Sequence, residues 1–199
     1  HTAEDILRKA AKMLKVPVEK IQDYRIVRRS IDARKKSEVC YVYTLDVCVA
    51  QERSVLKKVY SNNIMLTNEP KYQYPQKGTL PLKHPPVIVG SGPAGLFCAY
   101  ALAQMGYGPI VIERGKDMEA RKRDVELFWR ENRLNPESNV QFGAGGAGTF
   151  SDGKLNTLVK DEHGRSRKVL DTFIRCGAPE AIAYDSKPHI GTDILADVI

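Results

Sequence analysis

The stretch VIVGSGPAGLFCAYALAQMGYGPIVIERG, residues 87–115, decides the fold of the larger part of this chain. The apolar residues 87–89 predict a short buried strand, and GSGPAG has the glycine spacing of a strand-to-helix turn that binds a dinucleotide. Gly90 permits the tight turn, Gly92 lets the backbone approach a pyrophosphate, and Gly95 lets the helix pack closely on the strand. The pattern therefore predicts a phosphate-binding strand and helix.

The remainder of this stretch completes a βαβ unit. The helix after GSGPAG ends at Gly106 and directs its positive N-terminal end towards the phosphates. PIVIE then predicts a second strand, and Glu113 at its end is placed to accept hydrogen bonds from both ribose hydroxyls. Strand, glycines, helix, strand and acid in one unit are much more specific than the glycines alone. FAD and NAD both fit this geometry, and the unit itself leaves the choice open.

Several stretches resemble a known family. GSGPAG with VIERG is similar to the flavoprotein version of the fingerprint, in which Pro93 and Ala94 follow the second glycine and Arg114 follows the acid. With YRIVRRSIDARKK, NVQFGAGGAGTFSDGKL and GAPEAIAYDSKPHIGTD, the chain resembles FAD-dependent dehydrogenases related to the glutathione-reductase and fumarate-reductase flavoproteins. The resemblance covers nearly the whole chain, although the family usually has Glu at the position of Ala144. It implies flavin-mediated hydride transfer on an unidentified substrate, with NAD(P)H as a candidate electron donor.

The glycine-rich stretch at 142–155 is explained by the length of FAD, which one βαβ unit does not cover. A second segment must pass along the pyrophosphate and flavin, and consecutive N–H groups there can form an anion-binding concavity. Three glycines have no side chain to collide with a flat ring: Gly145, Gly146 and Gly148. Ser151 or Thr149 can add a hydroxyl donor to phosphate. An ordered segment is favoured over a flexible loop, because the following Asp-Gly pair supplies defined turn chemistry.

Two further residues are candidates for the site. Related flavoproteins often extend an arginine from the charged helix of Arg121 to the FAD phosphates, which makes this residue a candidate cofactor ligand. His189, which shares the stretch KPHIGTD with the weaker candidates Lys187 and Asp193, can be a general acid or a carboxylate-binding group, with a structural histidine as the alternative. Thr192 is a candidate cap for a following helix.

The charge distribution divides the chain near residue 80. Residues 1–80 contain 16 Lys and Arg against 9 Asp and Glu, a net charge of +7, whereas residues 81–199 contain 15 of each kind. The Pro-containing polar stretch 68–86 is typical of a linker. We therefore predict a small basic module, 1–80, followed by the N-terminal part of a Rossmann-like domain with an incomplete sheet, 81–199.

The first module is predicted to be a small α+β unit. Thr2 is an N-cap with Asp5 at the capping-box position, so a helix should extend to about Lys15. Alternating patterns at 24–30 and 39–49 predict two strands, SVLKKVYS predicts a second helix, and NIMLT predicts another strand. This order resembles a ferredoxin-like unit that lacks its first strand.

A basic cluster brackets the connection between the two predicted strands. Its members are Arg25, Arg28, Arg29, Arg34, Lys35 and Lys36. Such a cluster can contact nucleic-acid phosphates. We favour a docking or scaffold role, because strand-edge Lys and Arg deter edge pairing and no RNA-binding aromatic motif or glycine clamp accompanies them. A non-catalytic interaction or nucleic-acid-binding module, fused to a nucleotide-binding fold, is the rival class.

Composition and sheet size narrow the class of protein further. No stretch has the roughly eighteen apolar residues of a membrane span and no signal segment opens the sequence, so we expect a cytoplasmic protein without membrane partners. The four cysteines lie in or beside apolar runs without a CxxC pair, which predicts structural thiols and no metal site. Because an open dinucleotide-binding sheet needs further strands, we expect a larger flavoprotein in which the remaining polypeptide is a partner of this part.

Overall fold

The structure is a computed structural model that describes residues 2–157 and 159–199. Its α-helices are α1 (Ala3–Leu14), α2 (Glu52–Lys58), α3 (Pro93–Gln104), α4 (Met118–Glu131), α5 (Arg165–Arg175) and α6 (Thr192–Val198). Its strands are β1 (Ile21–Asp32), β2 (Cys40–Val49), β3 (Val87–Val89) and β4 (Ile110–Ile112). The predicted mixed α/β class is confirmed, with an antiparallel pair β1–β2 and a parallel pair β3–β4.

The chain folds into two compact units. Residues 2–71 form the first unit, together with 162–164 and 183–186, and the other described residues form the second. The chain therefore changes unit at Tyr72, ahead of the boundary predicted near residue 80. The two later segments, which the charge distribution assigns to the second module, belong to the first.

The first unit begins with the predicted capping box. Thr2 Oγ1 accepts a hydrogen bond from the N–H of Asp5, and the Asp5 carboxylate accepts one from the N–H of Thr2. Helix α1 ends at Lys15, whose φ of 53° lies in the left-handed region. Strands β1 and β2 pair antiparallel, with Ile21 opposite Val49 at one end of the ladder and Asp32 opposite Cys40 at the other. The predicted helix, the strand pair and helix α2 are confirmed.

The strand predicted at NIMLT is wrong, because residues 63–67 form a turn and irregular backbone. Beside β1, the structure has instead a segment that is distant in the chain. Arg29 N–H donates to the carbonyl of Tyr184, at 2.6 Å, and Ser186 N–H donates to the carbonyl of Arg29, at 2.9 Å. These bonds form a short parallel bridge on the edge of β1 opposite β2.

The second unit contains the predicted βαβ arrangement, in which α3 connects the parallel strands β3 and β4. Val87 lies opposite Ile110 and Val89 lies opposite Ile112. The prediction of a buried strand is wrong, because Val89 is 85% exposed and only Ile88 of β3 is partly covered. Among the described residues, β4 is the sole strand that pairs with β3, and all three residues of β4 are exposed.

The apolar core of the second unit lies in its C-terminal part. Ala178, Ile182 and the fully buried Ile190 form its centre. Partly buried residues from α5, α6 and the preceding loop surround them: Leu155, Leu170, Phe173, Ile174, Ile194, Leu195 and Val198. This packing holds the end of the second glycine segment against the stretch that contains His189.

The exposure of the cysteine side chains differs from what the sequence indicates. All four cysteines are free thiols, as predicted, but their side chains are exposed, so they do not have the structural role in apolar packing that the sequence indicates. In the part of the chain that the structure describes, no helix combines the length and the apolar character needed to cross a membrane. Within the same residues, no group of three or more His, Cys, Asp or Glu side chains is arranged to hold a metal ion.

Candidate dinucleotide-binding site

The first glycine turn joins β3 to α3 with backbone geometry that requires glycine. Gly90 has a φ of +94°, where an L side chain is strained, and its N–H donates to the carbonyl of Ile112, at 2.7 Å. A Cβ on Gly95 would overlap the carbonyl oxygen of Gly90, so the helix lies directly against the turn. Gly92 is the N-cap of α3 and Pro93 its first residue. The turn therefore places the N-terminus of α3 at the end of β3.

Glu113 follows β4 and is held by the same turn. Its Oε2 accepts hydrogen bonds from the N–H and the hydroxyl of Ser91, at 2.7 and 2.8 Å, and its Oε1 accepts one from the N–H of Gly115, at 2.9 Å. The backbone hydrogen bond from Ser91 is the main cause that lowers the pKa of Glu113, with that of Gly115 adding to it against burial. The side chain is therefore an ionised carboxylate at neutral pH.

The bonds from Ser91 change the ribose-binding capacity of Glu113. A carboxylate offers about four acceptor positions. The three protein donors use three of them, which leaves about one for a ribose hydroxyl. A ribose with two hydroxyls then needs the Ser91 hydroxyl to turn away. Ser91 is buried, and sequence reasoning missed it because it occupies a variable position of the glycine pattern.

The second glycine segment lies directly on the first turn. Gly145 N–H donates to the carbonyl of Ser91, at 3.0 Å. A Cβ on Gly146 would lie 3.0 Å from Cα of Gly92 and 3.1 Å from Cδ of Pro93, so a larger residue would separate the two backbones. The structure thus brings together both glycine patterns that the sequence singled out.

Two of the three glycines predicted to clear a flavin have another reason for lacking a side chain. A Cβ on Gly145 would overlap Oγ1 of Thr149 and the side chain of Ile199, and Gly146 faces the first turn. A Cβ on Gly148, in contrast, would have open space around it, with no described atom outside its own neighbours within 4 Å. Packing within the protein therefore explains Gly145 and Gly146, and only Gly148 has the open space that a flat ring requires.

The two hydroxyl candidates of this segment differ in their surroundings. Ser151 Oγ donates to the carbonyl of Gly148, at 2.8 Å, and accepts from the N–H of Gly153, at 3.2 Å, so it stabilises the turn itself. Thr149 is 2% exposed, and its hydroxyl has no hydrogen-bond partner among the described residues. Burying a hydroxyl without a hydrogen-bond partner costs free energy. Of the two hydroxyls, that of Thr149 is therefore the one with unused hydrogen-bonding capacity.

Both candidate arginines contact protein groups. The buried Arg121 donates to backbone carbonyl oxygens of the segment 139–144. The exposed Arg114 lies with its guanidinium carbon 4.2 Å from the ring centre of Phe142 and pairs with Glu137, at 3.2 Å. Arg121 therefore supports the second glycine segment from inside.

His189 lies beside the end of the second glycine segment. Leu155 N–H donates to the carbonyl of Pro188, at 3.0 Å, and Ile190 N–H donates to the carbonyl of Gly153, at 2.9 Å. His189 Nε2 would lie 3.2 Å from a Cβ on Gly153, and the histidine is exposed. The candidate general acid is thus next to the segment. The predicted cap Thr192 is wrong, since Gly191 is the N-cap of α6.

Known proteins match the chain in two separate parts. Residues 88–145, which run from β3 to the second glycine segment, match the family described as an NAD(P)-binding Rossmann-like domain. Residues 1–48 match a family described as a domain of unknown function, DUF8436. The fold, the glycine turn and this match make the second unit similar to Rossmann-like domains, a type of domain that generally binds FAD or NAD(P) and is typical of oxidoreductases.

A relative extends the similarity to almost the whole chain. An uncharacterized protein of Clostridium beijerinckii is 46% identical over 192 residues, which cover 96% of this chain. The same residues cover 36% of the relative, so the chain spans about a third of its length.

Proposed function

We propose that this chain carries the FAD-binding part of an FAD-dependent oxidoreductase. One observation carries the proposal: the second glycine segment packs on the first glycine turn, through the bond from Gly145 N–H to the Ser91 carbonyl. A cofactor with its phosphates at the N-terminus of α3 would lie beside the first glycine turn. The backbone of the second glycine segment would then form the second wall of the site. That wall favours FAD, whose flavin extends beyond the βαβ unit.

The residues present fit such a cofactor. The first N–H groups of α3, including those of Ala94 and Gly95, have no preceding helical carbonyl to bind and can donate to a phosphate at this helix end. Glu113 supplies the ribose acceptor, and the open side of Gly148 admits a flat ring. Bound FAD would supply the hydride-accepting chemistry, whereas the chain supplies binding and orientation.

His189 is proposed as the side chain nearest to the reacting groups. It is exposed beside the Gly153 turn, where its imidazole can bind a substrate carboxylate or transfer a proton.

An NAD-binding protein is the second candidate, and the family description of residues 88–145 supports it. NADP is disfavoured in either case. The ionised Glu113 at the end of β4 would repel the 2′-phosphate that distinguishes NADP from NAD.

Calorimetric titration of the purified protein with FAD, NAD and NADP tests the choice of cofactor. We expect FAD to bind at least about tenfold more tightly than NAD, and a flavin absorbance band to stay with the protein on gel filtration. Tight binding of NAD without binding of FAD would contradict the proposal and favour the second candidate.

Gly92→Ala is the matched control for this titration. The φ of −71° at Gly92 suits alanine, and the new Cβ would lie 3.9 Å from Cα of Gly146, an ordinary contact distance. The variant should therefore keep the melting temperature of the wild type while its methyl group obstructs the phosphates. Unchanged FAD affinity in this variant would place the phosphates elsewhere.

For the first unit we propose a protein-docking role. Several cations of the basic cluster already have carboxylate partners: Arg25 with Asp46 and Glu69, Arg29 with Asp185, Arg34 with Asp32, and Lys35 with Glu38. These pairs reduce the positive charge available to nucleic-acid phosphates and so support the docking role over nucleic-acid binding.

A further inference from the structure

Arg121 is a buried cation whose hydrogen-bond partners are all carbonyl oxygens. It lies in the first turn of α4, which Asp117 caps, and its side chain is 0% exposed. Nε donates to the carbonyl of Asn139, at 2.9 Å, and Nη2 to that of Val140, at 2.9 Å. Nη1 donates to the carbonyls of Gly143 and Ala144, at 3.3 and 2.5 Å. Every guanidinium nitrogen therefore binds the segment 139–144.

No carboxylate among the described residues lies within ion-pair distance of Arg121. Burial lowers the pKa of Arg121, while the more distant charge of Glu113 raises it. Arginine nevertheless stays charged inside proteins, because its ordinary pKa is very high. A buried charge is costly unless its hydrogen bonds are satisfied, and here a backbone loop rather than an anion satisfies them.

The loop is shaped to surround this side chain. Gly143 has a φ of +125°, and a Cβ there would lie 2.5 Å from Cδ of Arg121. Further along the segment, the Phe150 ring lies over the guanidinium, with 4.9 Å between Cζ and the ring centre. The backbone from 139 to 150 thus wraps around Arg121 from both sides.

The same segment reaches the candidate cofactor site through Gly145 and Gly146. These residues contact Ser91, Gly92 and Pro93 of the first glycine turn. A change in the course of the backbone at 139–144 would therefore displace the second wall.

We propose that Arg121 is a positioning residue that sets the second wall of the dinucleotide site, and not a ligand of the cofactor phosphates. The inference rests on the proposed FAD function. Its consequence is selective: Arg121 affects the flavin-bearing half of FAD, whereas the ADP half, for which ADP-ribose is the probe, depends on the first turn, Glu113 and α3.

Arg121→Lys tests this role, because lysine keeps the charge but replaces the planar guanidinium, with its several N–H donors, by a single ammonium group. The dissociation constants of FAD and of ADP-ribose are measured by calorimetry, with Arg123→Lys, an exposed change on the same helix, as control. We expect the FAD constant to rise at least about tenfold and the ADP-ribose constant to change less than about twofold. The control should bind both ligands as the wild type does.

Hydrogen exchange of the free protein gives a readout that does not depend on a cofactor. Arg121→Lys should accelerate amide exchange in 139–150 and leave the amides of 90–95 unchanged. If the wild type binds neither FAD nor ADP-ribose, the FAD function fails, and this exchange pattern alone decides whether Arg121 orders the segment.

Two results would overturn the inference. Equal weakening of FAD and ADP-ribose with unchanged exchange would make Arg121 a phosphate ligand, and no change in any measurement would leave it without a positioning role. If Arg121→Lys does not fold, Gly143→Ala replaces it, since its Cβ presses on the same arginine side chain. Gly143→Ala should then show the selective loss of FAD, and an equal loss of both ligands would count against the proposal.

Discussion

At the scale of single residues, local hydrogen bonding changes the role that a sequence pattern suggests. Glu113 occupies the position expected for a ribose acceptor, yet Ser91 and Gly115 donate three hydrogen bonds to it. Ser151 has the hydroxyl that the pattern favoured, yet the unpartnered hydroxyl belongs to Thr149. The chemical type of a residue is visible in the sequence, whereas its remaining bonding capacity is not.

Glu113→Gln should weaken FAD binding by about 1.5 to 3 kcal/mol, because glutamine keeps the shape but removes the charge that strengthens the ribose bond. The dissociation constant measured at neutral pH checks this value. An unchanged constant would remove Glu113 from the site.

The same variant has an expected effect on stability that depends on pH. Because the folded pKa of Glu113 lies below its ordinary value of 4.5, its bonds stabilise the protein above that value and the stabilisation is lost as the pH falls through the lowered pKa. The melting temperature of the wild type should therefore decline more between neutral and acidic pH than that of Glu113→Gln. Parallel declines would contradict the hydrogen-bonded carboxylate.

Thr149→Val should stabilise the cofactor-free protein by about 1 kcal/mol, because it replaces a buried hydroxyl without a partner by a methyl group of similar size. Urea unfolding measures the change, and Thr149→Ser, which keeps the hydroxyl and loses the methyl, should destabilise. Destabilisation by valine would show that the hydroxyl has a partner in solution.

At the scale of elements, the strands take partners that the order of the sequence does not suggest. The free edge of β1 pairs with residues 184–186, and the guanidinium of Arg29 binds both carboxylate oxygens of Asp185, at 2.7 and 2.9 Å. The rings of Tyr41 and Tyr184 lie on this guanidinium, with 5.5 and 5.2 Å from Cζ to the ring centres. A side-chain cluster and two backbone bonds thus join this segment to the first unit.

Asp185→Asn should loosen this segment selectively, because an amide cannot accept the charged bidentate pair from Arg29. We expect faster hydrogen exchange at the Ser186 amide, which donates to the Arg29 carbonyl, and unchanged exchange in the ladder between β1 and β2. The neighbouring Ser186→Ala serves as control, as it keeps the backbone donor. Slow exchange at position 186 in Asp185→Asn would show that the backbone bonds suffice.

At the scale of the whole molecule, the net charge of +7 does not by itself define a nucleic-acid-binding surface. Nucleic-acid binding would fall steeply with salt, with a log–log slope of about one unit per phosphate contact. We expect no detectable binding of the whole chain to random single- or double-stranded nucleic acid, even at low salt. Fluorescence anisotropy measures it, and the whole chain is used because residues 183–186 belong to the first unit.

If nucleic acid does bind, charge-neutralising variants show whether the basic cluster is responsible. Micromolar, strongly salt-dependent binding that disappears when Arg28, Lys35 and Lys36 are neutralised would overturn the docking role. Neutralising Lys57 and Lys58, at the end of α2, provides a control with similar loss of charge away from the connection.

The sequence by itself determined the features that depend on neighbours in the chain. The capping box of Thr2 and Asp5, the βαβ order, and the tight turn at Gly90 follow from backbone dihedrals and fixed spacings, which act over a few residues. These rules also located both glycine segments and the acid at the end of β4. They could not show that the segments touch.

Only the tertiary structure decided which distant groups satisfy one another. The four carbonyls around Arg121, the bonds from Ser91 to Glu113 and the bridge from β1 to residues 184–186 join groups that are far apart in the chain. No periodicity encodes such contacts, because burial leaves each polar group to find whatever partner the packed chain brings within reach. For that reason the sequence predicted where the candidate site lies, and only the tertiary structure showed which groups its residues bind within the protein.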